Sequence, residues 1–440
     1  MSNHRESDIA SLGRCEIPSP LLNLLPAKTS DTTFVNDDDR AIAYTHINKI
    51  KQKDVKATEL TSFELAGPRR NIFFDPAHTS AAIVTCGGLC PGLNNVIRSL
   101  TLILHFRYGI RRILGIRNGY QGFIKKYKLK PIPLNPDFVD HIHEQGGTVL
   151  GTSRGNQDKQ EIVDFLVENK IDILFLIGGD GTLRGALEIS KLAQKDKVPV
   201  SFIGIPKTVD NDILYIDRSF GFASASSIAC SVIKTAHTEA KSQHNGIGLV
   251  KVMGRQSGFI ACLSSLAVND ANFVLIPEVP FDLKGESGLL KSLKDRMLRR
   301  GHAVILVAEG AGQDLMQSES VGHDESGNIR LNDIGIFLKD KINSYFKESN
   351  IEINLKYIDP SYIIRAIPAE PTDSVYCYML GEHAVHAGMS GKTEAVIGLV
   401  NNTLVHVPMS MIAQGRRQVK PDGPLWFSVL ESTGQPPLMN

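Results

Sequence analysis

IDILFLIGGDGTLRGALEISKLAQK, residues 171–195, joins an apolar run to an amphipathic one through a glycine-rich turn. IDILFLI has the length and composition of a strand. TLRGALEISKLAQK repeats apolar residues at spacings of three and four, as a helix with one buried face requires. The same alternation recurs from about residue 77 to 310. AAIVTC, VSFIGI, GIGLVKV, ANFVLI and HAVILVA read as strands, and PGLNNVIRSLTLILHF, ASASSIACSVIKTAHTEAKS and SGLLKSLKDRMLRR as helices. This alternation predicts an α/β protein with open, mostly parallel sheets, whose ligands sit at the carboxyl ends of the strands.

With 440 residues the chain has the length for two or three domains and a large core. Forty-eight basic against 47 acidic side chains leave a formal charge of +1. The whole-molecule field therefore offers no general attraction to nucleic acid or an anionic membrane, and any anion must be held by a local site. MSNHRESDIASLGR has no apolar centre of the kind a secretory signal needs, and no run reaches the roughly 18 apolar residues of a membrane span. The expectation is a soluble, cytoplasmic protein with no nucleic-acid or membrane partner. Six cysteines are too sparse for a disulfide framework, and Cys86 and Cys90 lack the second pair that a zinc site needs.

Three stretches place chemistry just after predicted strands. In TCGGLCPGLNN, Gly87 and Gly88 let phosphate oxygens approach backbone amides, and Pro91 suits a first helical turn; glycine pairs after a strand also serve simply as turns. In GGDGTLRGA, Gly178, Gly179, Gly181 and Gly185 accompany one acid, Asp180, and one hydroxyl, Thr182. Such a loop can fold its amides around a polyphosphate while the acid holds Mg²⁺ against the same phosphates. It is neither the P-loop nor the dinucleotide pattern. In PKTVDND, residues 206–212, an extended chain would turn Thr208, Asp210 and Asp212 to one side, so two carboxylates would share a face with a cation, a proton or a hydroxyl between them. One such arrangement has Asp210 receiving a sugar hydroxyl, Asp212 positioning hydrated metal, and Lys207 contacting a transferring phosphoryl group.

GGDGT followed by PKTVDND, with TCGGLCPG ahead of both, resembles the 6-phosphofructokinases, which phosphorylate the 1-hydroxyl of fructose 6-phosphate. KVMGRQSG from Lys251, VAEG from Val307 and YIDPSYIIR from Tyr357 follow in the family's order, so the resemblance spans about residues 77–410. AGPRR in the N-terminal extension looks like the family's longer form. The resemblance implies that Gly87, Gly88, Arg154, Gly179, Asp180, Gly181, Thr182 and Gly185 serve the nucleotide, with Asp180 at the metal. It implies Asp210 as catalytic base beside Lys207 and Arg255. Thr208, Asp212, Met253, Gly254, Arg255, Glu309, Lys356, Tyr362 and Arg365 then contact substrate. Tyr362 stands where the best-known bacterial form has histidine, Lys356 where it has arginine, and Gly246 where it has an arginine that reaches across from a neighbouring subunit.

The implied fold is two Rossmann-like domains facing a substrate cleft, with the chain crossing between them more than once. Residues 1–76 form an extension, 77–221 plus 364–411 a nucleotide domain, and 222–363 plus 412–440 a sugar-phosphate domain with the C-terminal tail. The resemblance also implies Mg²⁺, ATP and fructose 6-phosphate as ligands, and a homo-oligomer, dimer or tetramer.

On phosphoryl donor the chain is mixed. Pyrophosphate users in the family have aspartate at Gly181, where it would crowd a nucleotide's α-phosphate, and lysine at Lys207. A steric and electrostatic block acts directly, whereas a lysine serves a phosphoryl group from either donor, so the expectation is ATP, with pyrophosphate as the alternative. A regulatory subunit without activity would have lost Asp210 or Asp180, and an NAD or lipid kinase would not explain MGR, AEG and PSYIIR. His237, the DDDR run at residues 37–40, and His383 with His386 read as a satisfied or surface histidine, a solvated turn, and a helical pair lacking a third metal ligand.

Overall fold

A computed structural model of the chain describes residues 5–24, 33–45, 61–316, 322 and 330–440. The polar, turn-rich stretch from about Met316 to Asn332, whose composition reads as a surface loop, lies outside the described residues apart from Met316, Gly322 and residues 330–332. Two compact units form. The first comprises Met1–Thr208, Ile213–Gly221 and Ile367–Arg416, and the second Val209–Asp212, Phe222–Ala366 and Arg417–Asn440. The chain passes from one to the other several times, first within PKTVDND.

In chain order the strands of the two larger sheets are β1 (Arg40–Ile42), β2 (Ser62–Leu65), β3 (Ser80–Thr85), β4 (Arg112–Ile116), β5 (Ile132–Pro133), β6 (Ile173–Gly178), β7 (Ser201–Pro206), β8 (Gly246–Val252), β9 (Phe273–Leu275), β10 (His302–Ala308), β11 (Asn354–Ile358), β12 (Ala395–Val400) and β13 (Thr403–Pro408). The helices that frame the candidate site are α1 (Leu93–Phe106), α2 (Asp180–Lys195), α3 (Phe222–Ser242), α4 (Ile334–Glu348), α5 (Ser361–Ala366) and α6 (Pro371–Met389).

The first unit holds a nine-stranded sheet in the order β1-β2-β13-β12-β7-β6-β3-β4-β5. Its centre, β12 to β4, is parallel, and the strands flanking it are antiparallel. β3, β6 and β7 are buried along their whole length, which is why they read as continuous apolar runs rather than alternating ones. Their register decides the site. Thr85 lies opposite Ile177, and Gly178 opposite Pro206, so three strands end at one level of the sheet.

The second unit is a four-stranded, all-parallel sheet in the order β9-β10-β8-β11. Val252 lies opposite Ala308, so β8 and β10 also end together. Its core packs Leu249, Ile305, Leu338 and Phe346, while the first unit packs Leu174, Phe202, Leu183 and Met409. This is the α/β architecture with mostly parallel sheets that the alternation predicts.

The N-terminal residues contribute β1 and β2 to one end of the large sheet, and Ala10–Ser11 pairs with Lys392–Thr393. β2 carries Glu64, buried beside Arg69, Lys392 and His406. Within DDDR, Asp37 lies in a turn, yet it also accepts ion pairs from Arg69 at 3.1 Å and Lys392 at 2.9 Å. All six cysteines are free thiols. Among the described residues no helix is long and apolar enough to cross a membrane.

Candidate active site

The three aligned strand ends of the first unit bring together most of the residues assigned to the nucleotide. The loop after β3 carries Gly87, at φ 85°, which only a residue without Cβ adopts freely. A Cβ on Gly87 would lie 3.2 Å from Lys207 Nζ, and one on Gly88 would lie 3.3 Å from Arg154 Nη2. Lys207, buried at the end of β7, donates from Nζ to the Gly88 carbonyl at 2.7 Å and from its backbone to the Gly178 carbonyl at 3.0 Å. The two glycines thus lie within close reach of an ammonium and a guanidinium, a combination suited to phosphate oxygens. Pro91 falls in a turn just before α1 rather than within its first turn.

β6 leads directly into α2, which begins at Asp180, two residues earlier than its sequence pattern indicates, with Gly179 as N-cap. The first amides of this 16-residue helix therefore open on the same strand ends. No heavy atom lies within 4 Å of a Cβ placed on Gly181, so its surroundings are open. The other two positions differ. Thr182 is buried with its side chain against Gly178, and a Cβ on Gly185 would lie 3.4 Å from the Tyr120 ring. Both are fixed by packing inside the unit.

Asp180 is heavily paired. Its Oδ2 accepts from Arg184 Nη2 at 2.8 Å and from Arg416 Nε and Nη2 at 3.1 and 3.0 Å. Arg416 was not legible in the sequence: it lies 236 residues away in a loop without a motif. Thr208 closes this part of the chain, with its carbonyl accepting from Ser219 Oγ at 2.6 Å.

PKTVDND does not continue as an extended strand. β7 stops at Pro206, the chain bends at residues 209 and 210, and Asn211 takes φ 56°. The two-residue alternation that would put Thr208, Asp210 and Asp212 on one face is therefore broken, because a left-handed residue reverses the side-chain sequence. Asp212 accepts a backbone bond from Arg417 at 2.9 Å.

In the second unit the carboxyl ends of β8 and β10 carry Met253, Gly254, Arg255 and Glu309. Asp210 Oδ2 accepts from the Arg255 amide at 3.4 Å, and its carbonyl accepts from Ser257 Oγ at 2.9 Å. Gly254, at φ 133°, follows Met253, and a Cβ there would stand 2.5 Å from the Ser257 carbonyl. Backbone bonds from Glu309 to Val252 at 2.9 Å and from Gly310 to Gly254 at 3.1 Å lock the MGR and AEG segments together. Burial raises the pKa of Glu309, opposed by the nearby charges of Arg255, Lys251 and Arg365.

Tyr362 and Arg365 share the short helix α5. Tyr362 is 80% exposed, with the Arg365 guanidinium 4.9 Å from its ring centre. Lys356 stands exposed on the edge strand β11, and among the described residues no hydrogen bond or ion pair joins it to either. Lys251 lies at the end of β8, where its Nζ meets Asp333 Oδ2 at 2.8 Å and Asp359 Oδ2 at 2.9 Å. That cluster was visible in the sequence only as the flank of KVMGRQSG.

The histidines bond to protein groups. His237 bonds to Asp270 at 2.9 Å, His386 to Tyr108 at 2.8 Å, and His383 to a helix carbonyl. Among the described residues no group of three or more His, Cys, Asp or Glu is placed to hold a metal.

Known proteins match this arrangement over nearly the whole chain. The phosphofructokinase family profile covers residues 80–388. An ATP-dependent 6-phosphofructokinase of Borreliella burgdorferi is 48% identical over 434 residues, covering 97% of this chain and 96% of that one. Another, of Amycolatopsis methanolica, is 45% identical over 431 residues, with 97% and 94% covered. Among solved structures, a pyrophosphate-dependent phosphofructokinase from Marinobacter aquaeolei aligns with a TM-score of 0.66 over 82% of this chain and 92% of that one. At 20% identity that likeness speaks for the fold alone. A profile over most of the chain, near-full-length relatives and a glycine cradle at aligned strand ends lead to one conclusion: the chain belongs to the phosphofructokinase family.

Proposed function

We propose that this protein is an ATP-dependent 6-phosphofructokinase, transferring the terminal phosphoryl group of ATP to the 1-hydroxyl of fructose 6-phosphate. The observation that carries this is the close approach of the Lys207 ammonium and the Arg154 guanidinium to Gly87 and Gly88, at the same strand ends as the start of α2. The curated relatives named above are ATP-dependent enzymes of this kind.

Phosphoryl transfer passes through a loose transition state, so alignment and neutralisation of charge outweigh nucleophile strength. The 1-hydroxyl oxygen forms the new bond to the terminal phosphorus, the bond to the bridging oxygen of ADP breaks, and the hydroxyl proton passes to the Asp210 carboxylate. The Arg255 amide at 3.4 Å and Ser257 hold Asp210 for that role. Lys207, Arg154 and the first amides of α2 offset the charge of phosphate oxygens. Met253, Gly254, Arg255 and Glu309 receive the sugar, and Tyr362, Arg365 and Lys356 its phosphate, with Thr208 and Asp212 flanking the base.

Mg²⁺ fits a single carboxylate when phosphates and water supply its other ligands. All three donors to Asp180 fall on Oδ2, and among the described residues none reaches Oδ1. When bound there, the ion would neutralise phosphate charge. Assembly as a homo-oligomer and a cytoplasmic location belong to the same reading.

The donor is tested by fructose 1,6-bisphosphate formation with ATP and with pyrophosphate in parallel. ATP supports turnover and pyrophosphate does not. Gly181→Asp, entering open space at the start of a helix where a carboxylate is favoured, leaves Tm unchanged and lowers kcat/KM for ATP by about 100-fold or more. Turnover with pyrophosphate alone would reverse the donor assignment, and silence with both would favour a regulatory subunit.

A further inference from the structure

Lys251 is 8% exposed and lies two residues before the MGR segment, at the end of β8. Its ammonium meets two carboxylates, Asp333 Oδ2 at 2.8 Å and Asp359 Oδ2 at 2.9 Å, and stands 6.0 Å from the Tyr357 ring centre. Each carboxylate has a second task. Asp333 Oδ1 caps α4 by accepting from the Gly335 and Ile336 amides at 2.9 and 3.1 Å, and it also accepts from Tyr357 Oη at 3.2 Å. Asp359 Oδ1 accepts from the Ser361 amide at 3.1 Å and hydroxyl at 2.6 Å, forming the turn that starts α5.

One oxygen of each acid therefore shapes a local turn while the other is held by the same ammonium. Burial disfavours the charge on Lys251, but the hydrogen bonds of Asp333, Asp359 and Tyr357 outweigh it and raise its pKa. Against their own burial, hydrogen bonds lower the pKa of both acids, led by Lys251 at Asp333 and by Ser361, then Lys251, at Asp359. The cluster is a cation shared by two anions, and Glu309 is close enough to feel both Lys251 and Asp359.

We propose that Lys251 is a positioning residue for sugar-phosphate recognition: by holding Asp359 it fixes the turn from which α5 presents Tyr362 and Arg365. This inference rests on the activity proposed above, and on α5 receiving the substrate's phosphate. Removing the amine leaves Asp333 and Asp359 facing each other without a cation, so the Asp359 turn loosens and adds repulsion toward an incoming phosphate. The nucleotide residues lie on other loops and keep their geometry. The effect is confined to one substrate.

The test is steady-state kinetics with each substrate varied, together with calorimetric binding of fructose 6-phosphate. Lys251→Met should raise KM for fructose 6-phosphate about tenfold or more, with kcat and KM for ATP within threefold. Adding Asp359→Asn should recover at least threefold of that loss, because it removes one of the two facing charges while keeping an oxygen for Ser361. A merely structural role would reduce the folded fraction, lowering apparent kcat and leaving KM unmoved. If Lys251→Met does not fold, Asp359→Asn alone should raise KM for the sugar phosphate about threefold with KM for ATP unchanged. Unchanged KM in a folded variant, or equal rises for both substrates, would overturn the positioning role. If the unaltered protein neither binds nor turns over fructose 6-phosphate, the activity reading falls first and takes this inference with it.

Discussion

Asp210 holds its place through the backbone around it. The Arg255 amide reaches its carboxylate, Ser257 holds its carbonyl, and Asn211 beside it takes a left-handed conformation that directs the chain away from β7. Asp210→Ser keeps that backbone and removes only the proton acceptor. Turnover should fall by about 100-fold to 10,000-fold, while KM for fructose 6-phosphate shifts by less than about threefold in the same assay. A comparable loss in binding would mean that Asp210 holds the sugar rather than its proton. Single residues of this site differ in how far the sequence exposes them. Gly87, Asp180 and Asp210 sit in motifs because the chemistry constrains their neighbours as well. Arg416 and Asp333 act from loops and helix caps hundreds or tens of residues away, where only tertiary contact reveals them.

At the scale of elements, the strand-turn-helix from β6 to α2 is tightly packed. Gly178 ends a fully buried strand, and a Cβ there would run into the Thr182 side chain on the first turn of α2. Gly178→Ala should therefore destabilise the protein by about 1–3 kcal/mol through overpacking, read as a lower Tm, and Thr182→Ala in the same chain should return part of it. Overpacking here also displaces the start of α2, so ATP affinity should weaken together with stability. This element was legible in the sequence because burial turns its strand into an unbroken apolar run. The antiparallel flank was not. β1, β5 and much of β2 are short, and residues 1–76 lack the strand-helix rhythm, so long-range pairing with β13 rather than local pattern brings β1 and β2 into the sheet. β11 is an edge strand half-exposed along its length, and its NLKYI carries a lysine at the centre.

Across the whole molecule, the stability of the first unit is linked to acid pH through Glu64. Burial alone would raise its pKa, but the bond from His406 and the charges of Lys392 and Arg69 lower it to about 2 from an ordinary 4.5. Burial lowers the pKa of His406, so near pH 7 it donates as a neutral ring and the lasting cations are Arg69 and Lys392. A carboxylate with a depressed pKa contributes fully above about pH 4.5 and loses its contribution as pH falls toward 2. Urea midpoints measured from pH 7 to 3 should therefore decline below about 4.5. In Glu64→Gln that decline should flatten, at a cost of about 1.5–3 kcal/mol at neutral pH, because Asp37 still pairs with both Arg69 and Lys392. The interleaving of the two units has a further consequence, for synthesis. β7 lies between β6 and β12, yet β12 leaves the ribosome almost 200 residues after β7. Until then the nascent chain carries a buried-type apolar strand with one edge open, while all of α3 through α5 emerges and folds between them. A chain stalled or cut before residue 395 is thus left with β7's edge unpaired, a template for aggregation during translation.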